Sequence, residues 1–165
     1  MKRIAVLTFA LACLLVDSSS AFAASPKPCD FMNAQAAASI FGASVDAGRA
    51  EDLDMGSQQC VFDHNDPAAP GQIAFGLIDI NAMAASMGAN STAILPIIKQ
   101  SATGQKFETI PSLGEWNLYS WDGQIGYSLT VIYRGKVLSI HSSGSKNPNL
   151  KTAVVQAMRQ ALQKL

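Results

Sequence analysis

The fold of this chain is decided in residues 115–143, which read EWNLYSWDGQIGYSLTVIYRGKVLSIHSS. Hydrophobic and polar residues alternate along most of this stretch, as they do in strands that are buried on one face. The alternation is interrupted at Asp122-Gly123 and Arg134-Gly135, and a glycine-containing dipeptide at such a point indicates a two-residue hairpin turn. The stretch therefore predicts three antiparallel strands, over Glu115–Trp121, Gln124–Tyr133 and Lys136–Ser143.

The two turns also determine which residues lie opposite each other, because a two-residue loop leaves one register for each hairpin. The predicted pairs join apolar residues of a single face: Trp116 with Leu129, Leu118 with Tyr127, Leu129 with Ile140, and Val131 with Leu138. A sheet that is half buried needs such an apolar face. We therefore expect this face to pack against the core.

The opposite face of the three strands then carries aromatic and polar side chains, namely Glu115, Asn117, Tyr119, Trp121, Ser128, Thr130, Ser139 and His141. Recognition surfaces combine aromatic residues with a few polar groups. The pattern indicates a candidate binding surface made of Trp121, Tyr119, Asn117, Ser128 and His141, with Trp121 as its main residue. A second face that is solvated or covered by a helix is the alternative interpretation.

The remainder of the chain adds helices and further strands. Asn33 and Gly42 are the residue types that begin and end a helix, here over Ala34–Phe41. Other segments follow the same rules: strands over Gln58–Asp63 and Gln72–Asn81, a helical region from Ala82 to Ala102, and an amphipathic helix from Asn147 or Asn149 to the C-terminus. We expect an α+β fold, with helices packed on an antiparallel sheet of five or six strands, in the order α-β-β-(β)-α-β-β-β-α.

Residues 1–23 have the three parts of a cleavable secretory signal peptide. Lys2 and Arg3 form a basic start, Ile4–Val16 is apolar, and Ala21-Phe22-Ala23 is a small-x-small cleavage site. Cleavage near Ala23-Ala24 leaves a single α+β domain over residues 24–165, which we expect to be periplasmic or secreted. A lipoprotein signal with lipidation at Cys13 is the alternative, although the apolar run continues beyond that cysteine.

Cleavage also changes the cysteine count. It removes Cys13 and leaves Cys29 and Cys60 as a pair. Two cysteines in an exported chain predict a disulfide bond. Neither cysteine has a second cysteine or a histidine at the spacing of a metal site, so we expect a structural bridge.

Charge and hydropathy narrow the range of partners. Without Lys2, Arg3 and Asp17, ten basic residues remain against eleven acidic residues, and no segment is strongly basic. Nucleic acid is therefore not an expected partner. No second apolar run is long enough for a membrane-spanning helix, so we expect a protein that does not span a membrane.

Few residues of the sequence suggest catalytic chemistry. His64 lies in the polar turn Asp63-His64-Asn65-Asp66, where adjacent side chains cannot all converge on one metal ion. His141 lies beside Ser128 in the predicted register, but the motif of an activated serine is missing. The sequence contains no glycine-rich phosphate loop and no Cys-x-x-Cys pair. We therefore expect no enzyme activity, no cofactor and no metal.

Several short motifs run along the mature chain: Cys29-Asp30-Phe31 before an alanine-rich helix, Gln59-Cys60-Val61-Phe62, Ile110–Glu115 and Val131–Val137. Together they resemble a family of secreted proteins and lipoproteins of unknown function, whose pattern ends in a Leu-Gly-Asp-Ala step into a late strand pair. This chain has Leu113-Gly114-Glu115-Trp116 at that step. The resemblance implies a PsbP-like α/β/α sandwich and a bridge between the paired cysteines, and it implies no catalytic residues.

These features predict an exported, non-catalytic binding or accessory protein, whose partner is a protein or a small ligand of the cell envelope. A second hypothesis is an envelope inhibitor or immunity protein directed against a toxin or hydrolase, because such proteins are also small and disulfide-bonded. A third hypothesis is a hydrolase that uses His141.

Overall fold

The computed structural model describes residues 26–54, 57–68, 70–101, 106–122 and 126–165. Over these ranges the chain forms an α+β fold, in which one antiparallel sheet has helices on both of its faces. The predicted signal peptide and the alternative lipidation site Cys13 lie outside the described residues. No helix in these ranges is both long and apolar enough to cross a membrane.

Five helices and seven strands follow one another along the described chain. The helices are α1 Pro28–Phe31, α2 Ala34–Phe41, α3 Ile80–Ser86, α4 Ser91–Ser101 and α5 Leu150–Leu162. The strands are β1 Arg49–Asp52, β2 Ser57–His64, β3 Gly71–Asp79, β4 Lys106–Glu108, β5 Trp116–Asp122, β6 Gly126–Tyr133 and β7 Lys136–Ser143. Their order across the sheet is β1-β2-β3-β7-β6-β5-β4, so that β7 is the central strand.

The strand count is larger than predicted, because the described sheet has seven strands and the sequence predicted five or six. The strands that escaped prediction are β1 and β4, the two edges of the sheet. They read Arg-Ala-Glu-Asp and Lys-Phe-Glu. Short, charged edge strands are common in natural sheets, since they discourage pairing between molecules, but they lack an alternating hydrophobic pattern.

The first face of the sheet, defined here as the one that packs against α2 and α5, holds the main core. Its fully buried sheet residues come from β2, β3, β6 and β7: Phe62, Ile73, Phe75, Leu129, Val131, Leu138 and Ile140. Ile40 of α2 and Met158 of α5 complete the layer above them, both without solvent exposure. Burial of each such side chain contributes about 1.5–3 kcal/mol, so this layer dominates the stability of the fold.

The second face packs against α3 and α4 over part of its area. Ile80, Ala84, Ile94 and Ile98 of the helices form a small cluster with Ile132 and Val137 of the sheet, and Trp116 packs against its edge. Pro96 lies inside α4 and does not end it. The helical region predicted over 82–102 is therefore confirmed as two helices, separated at Met87–Asn90.

The two predicted hairpin turns have different outcomes. Arg134-Gly135 forms the predicted two-residue turn, with both residues at positive φ (48° and 70°), and Leu129 pairs with Ile140 as expected. At the other hairpin Asp122 pairs with Gly126, so the connection is three residues long rather than two. The predicted pairing of Trp116 with Leu129 is therefore wrong, and Trp116 pairs with Ile132 instead.

Neighbouring residues of a strand point to opposite faces. This shift of three residues therefore turns each side chain of β5 to the face opposite the predicted one. Gly126 is the first described residue of β6. Its φ is 120°, and a Cβ atom there would clash with the carbonyl oxygen of Ser142 in β7, so only glycine fits this position.

The disulfide bond between Cys29 and Cys60 is present as predicted. It joins α1 to β2, with the Cα atoms 5.0 Å apart and a sequence separation of 31. Since α1 has only four residues, it is too short to be stable alone. The bridge therefore holds α1, and the buried Phe31 within it, against the first face of the sheet.

We predict that the double substitution Cys29→Ala/Cys60→Ala lowers the free energy of unfolding of the mature chain by about 3–4 kcal/mol, since the loop of 31 residues is no longer closed in the unfolded state. Urea denaturation of the oxidised protein and of the variant measures this difference. Reduction of the native protein should give a similar loss. Equal midpoints for oxidised and reduced protein would contradict the prediction.

Asp79 connects the end of β3 to the helices of the second face. Its Oδ1 accepts hydrogen bonds from the main-chain nitrogens of Asn81 and Ala82, which caps α3. Its Oδ2 accepts from Nζ of Lys136 at 2.9 Å. The hydrogen bond from Lys136, followed by those from the helix, lowers the pKa of the Asp79 carboxyl below its usual value.

We predict that Asp79→Ala costs about 1 kcal/mol at pH 7, the typical contribution of an N-cap. Because the folded-state pKa of Asp79 is lowered, the carboxylate stabilises the fold above its unfolded-state pKa of about 4, and this stabilisation is lost as the pH falls through the folded-state value. Thermal melts from pH 7 to pH 2 should therefore show the two proteins converging below about pH 4.

The matched control is Asp54→Ala, because Asp54 is exposed and makes no hydrogen bond or ion pair with another described residue. The stability of this variant should stay within about 0.5 kcal/mol of that of the native protein at every pH. A difference between Asp79→Ala and the native protein that does not change with pH would show that the carboxylate charge contributes nothing.

Candidate functional site

Three aromatic rings lie side by side at one end of the first face. Tyr119 and Trp121 are two residues apart in β5 and therefore share a face, and Trp121 pairs with Tyr127 of β6. The ring centroid of Tyr127 is 6.1 Å from that of Trp121 and 6.2 Å from that of Tyr119. These separations are typical of interacting aromatic pairs. The three rings form one contiguous aromatic cluster.

The aromatic cluster lines a cleft of about 430 Å³, together with Phe107 and Glu108 of β4. We call it the aromatic cleft. Phe107 pairs with Ser120, which places its side chain on the second face. A volume of this size is typical of sites that hold small molecules.

The polar groups of the aromatic cleft lie at its border with α5. Glu108 forms an ion pair with Lys151 of α5, with 2.5 Å between Oε1 and Nζ. The same ammonium group lies 5.8 Å from the centroid of the Tyr119 ring, within the range of a cation–π contact. Burial, followed by the neighbouring Tyr127 and Glu108, raises the pKa of Tyr119 to about 12. The phenol is therefore protonated at neutral pH and can donate a hydrogen bond.

The residues of the predicted binding surface do not share one face. Asn117, Tyr119 and Trp121 lie on the first face, together with Val131, Leu129 and Tyr127 of β6. Ser128 and His141 pair with each other and lie on the second face. The predicted juxtaposition of Trp121 with Ser128 and His141 is therefore wrong, since it depended on a two-residue loop after Asp122.

His141 is exposed on the second face, beside Ser128 in the register of β6 and β7. Loss of hydration where the ring lies against the sheet lowers the pKa of His141 below its ordinary value. It makes no hydrogen bond or ion pair with any residue that the structure describes. A serine hydrolase would need a carboxylate to orient this histidine.

His64, the other histidine of the mature chain, lies at the end of β2. Its ring centroid is 4.5 Å from that of Phe41, and its Nδ1 is 2.7 Å from the carbonyl oxygen of Ser44. These contacts attach it to the end of α2 and the segment that follows. Within the described ranges no three histidine, cysteine or carboxylate side chains are grouped as metal ligands.

Asn117, a member of the predicted binding surface, is buried with an exposed fraction of 8%. Its Oδ1 accepts from the main-chain nitrogen of Ile110 at 2.6 Å, and its Nδ2 donates to the carbonyl oxygens of Ile110 and Leu113. All three bonds go to the segment between β4 and β5. Asn117 therefore positions the chain beside the aromatic cleft.

Four residues of the site were not predicted. Tyr127 was expected in the core opposite Leu118, and Phe107, Glu108 and Lys151 were not singled out. The edge strand β4 is too short to be seen as a pattern, and the approach of α5 to it depends on tertiary packing.

No protein-family model matches this chain, and neither a curated protein nor a solved structure matches it. The aromatic cleft is therefore interpreted from its own geometry and chemistry.

We predict that Asn117→Ala lowers the free energy of unfolding by roughly 2–4 kcal/mol, because it leaves buried main-chain groups of Ile110 and Leu113 without partners. Urea denaturation measures the loss. The control Asn81→Ala alters an exposed side chain in α3 and should cost less than about 0.5 kcal/mol. Equal effects of the two substitutions would contradict a structural role for the Asn117 amide.

Proposed function

We propose that this protein is an exported, non-catalytic binding or accessory protein that holds a small organic molecule in the aromatic cleft. The observation that carries the proposal is the aromatic cluster: three rings from two adjacent strands line one open cleft at the end of the core. Aromatic side chains in clefts supply stacking area, and one or two polar groups beside them orient the ligand. Glu108 and the Tyr119 hydroxyl are the polar groups here.

Trp121 is the central residue of the proposed site. It is partly exposed, so its ring can contact a ligand, and it lies between the edge strand β4 and Tyr127. Tyr119 is 6% exposed, so it is held by the core and serves as a fixed wall. A site with one accessible ring on a fixed aromatic wall requires little reorganisation on binding, which favours affinity.

The disulfide bond and the signal-like N-terminus support an exported protein. A bond between Cys29 and Cys60 is compatible with an oxidising compartment such as the periplasm or the extracellular space. The first 23 residues have the charge and hydropathy of a signal peptide. We place the mature chain, residues 24–165, in that compartment.

A relationship to the PsbP-like α/β/α sandwich is part of the same proposal. It is supported by the sequence motifs around Cys29 and Cys60 and by helices on both faces of an antiparallel sheet. A crystal structure of the mature chain with the helix and strand order of that sandwich would support it. A different order of connections would contradict it.

We predict that the neutral fluorescent probe N-phenylnaphthylamine binds the mature chain, and that Trp121→Ala weakens its affinity about tenfold, the effect of losing an aromatic anchor. Titration of probe fluorescence at constant protein concentration gives the affinity. Retention of the near-ultraviolet circular dichroism of the tyrosines would show that the variant is folded.

The matched control is Trp116→Ala, which truncates the other tryptophan of the chain. Trp116 is also partly exposed, but it packs on the second face beside α4. It should leave the affinity for N-phenylnaphthylamine within about twofold of the native value. Loss of affinity in both variants, or in neither, would place the probe outside the aromatic cleft and refute the proposal.

A further inference from the structure

A second cleft adjoins the aromatic cleft on the far side of Lys151. It has a volume of about 530 Å³ and lies between the segment that precedes β5 and the outer surface of α5. Ile110, Pro111 and Val155 supply apolar walls, and Lys151 and Arg159 supply charge. We call it the α5 cleft.

The charges of the α5 cleft are all positive. Lys151 and Arg159 are eight residues apart in α5, which corresponds to about 12 Å along the helix axis. From Ser143 to Leu165 the sequence contains four basic residues and no aspartate or glutamate. Lys151 is paired with Glu108 of the edge strand β4. The region around α5 is therefore suited to a negatively charged group.

The ion pair between Glu108 and Lys151 lies where the two clefts meet, because Glu108 lines the aromatic cleft and Lys151 lines the α5 cleft. Both side chains are about half exposed, at 47% and 49%. Ion pairs with such exposure are weak, since water screens them. Lys151 can therefore exchange Glu108 for another anion at little cost.

We propose that the two clefts hold one ligand, an organic anion whose flat apolar ring stacks on Trp121 and Tyr127 and whose acid group pairs with Lys151. Arg159 provides a second cationic position for a longer ligand with another acid group. The proposal rests on the proposed function, because it requires the aromatic cleft to be a binding site. It adds the sign of the ligand charge and the residue that recognises it.

Charge complementarity favours an anion over a cation. Aromatic rings with a carboxylate can also attract an organic cation. Here, however, the Glu108 carboxylate is already paired with Lys151, and Arg159 lies beyond it. A cation entering the aromatic cleft would have to displace Lys151 from Glu108, whereas an anion gains the contact with Lys151.

Two fluorescent probes with the same ring system test this inference: anilinonaphthalene sulfonate, an anion, and N-phenylnaphthylamine, which is neutral. Lys151→Gln should lower the affinity for the sulfonate probe about fivefold or more, because it removes the cation that pairs with the sulfonate group. Glu108→Gln should strengthen the sulfonate probe by a few-fold, because it frees Lys151 and removes a repulsive carboxylate. The neutral probe has no acid group, so Lys151→Gln should weaken its binding less than that of the sulfonate probe.

The matched control is Lys146→Gln, which removes a cation of the same acid-free segment that lines a different cleft, beside Phe41 and Gly42. It should leave both probes unchanged. The affinity of the sulfonate probe should also fall with added salt, whereas that of the neutral probe should not. Melting temperatures of all variants, measured without probe, verify that each is folded.

The outcomes separate the inference from the proposed function. If Trp121→Ala weakens both probes, but neither Lys151→Gln nor Glu108→Gln changes the sulfonate probe, the aromatic cleft is a binding site without anion recognition and the inference is overturned. If Glu108→Gln weakens binding of the sulfonate probe, the Glu108 carboxylate does not repel the anion and the inference also fails. If neither probe responds to Trp121→Ala, the proposed function itself is refuted.

Discussion

The pairing of Asp122 with Gly126 is the constraint on which the site depends. It places a three-residue connection between β5 and β6, and this odd shift puts Tyr119 and Trp121 on the same face as Tyr127. A connection one residue shorter would turn both side chains toward the opposite face. Gly126 also lies so close to β7 that no side chain fits there. The register of the β5–β6 hairpin therefore determines which face receives the aromatic cluster.

The packing of α5 on the first face then gives the cleft its charges. Val154 and Met158 are buried against the sheet, which fixes the rotation of the helix about its axis. With that rotation set, Lys151 extends over Tyr119 and reaches Glu108 on the edge strand. The apolar stripe of α5 thus supplies stability, and its orientation places the positive groups beside the aromatic cleft. The same contacts serve the fold and the proposed recognition.

Local features of the chain were predictable from sequence wherever the physical cause was also local. Asn33 caps α2 and Gly42 ends it in the left-handed conformation, as expected from their residue types. The turn at Arg134-Gly135 and the register of β6 and β7 are confirmed. The register of β5 was predicted wrongly, because Asp122-Gly123 was interpreted as a two-residue turn, whereas the pairing of Asp122 with Gly126 makes the connection three residues long. The edge strands β1 and β4 carry no pattern of their own, and only pairing with their neighbours makes them strands.

By itself the sequence determined the α+β class, the boundaries of α2, the alternating strands β5, β6 and β7, and the pairing of Cys29 with Cys60, since caps, turns and cysteine counts act over short distances or in small numbers. The sequence also indicated Trp121 as a binding residue, but it predicted the side chain on the opposite face of the sheet. Only the tertiary structure decided that Trp121, Tyr127 and Glu108 line one cleft and that Lys151 pairs with Glu108 at its border. These residues come from three strands and a helix, and their meeting depends on close approaches and helix rotation that no local pattern records.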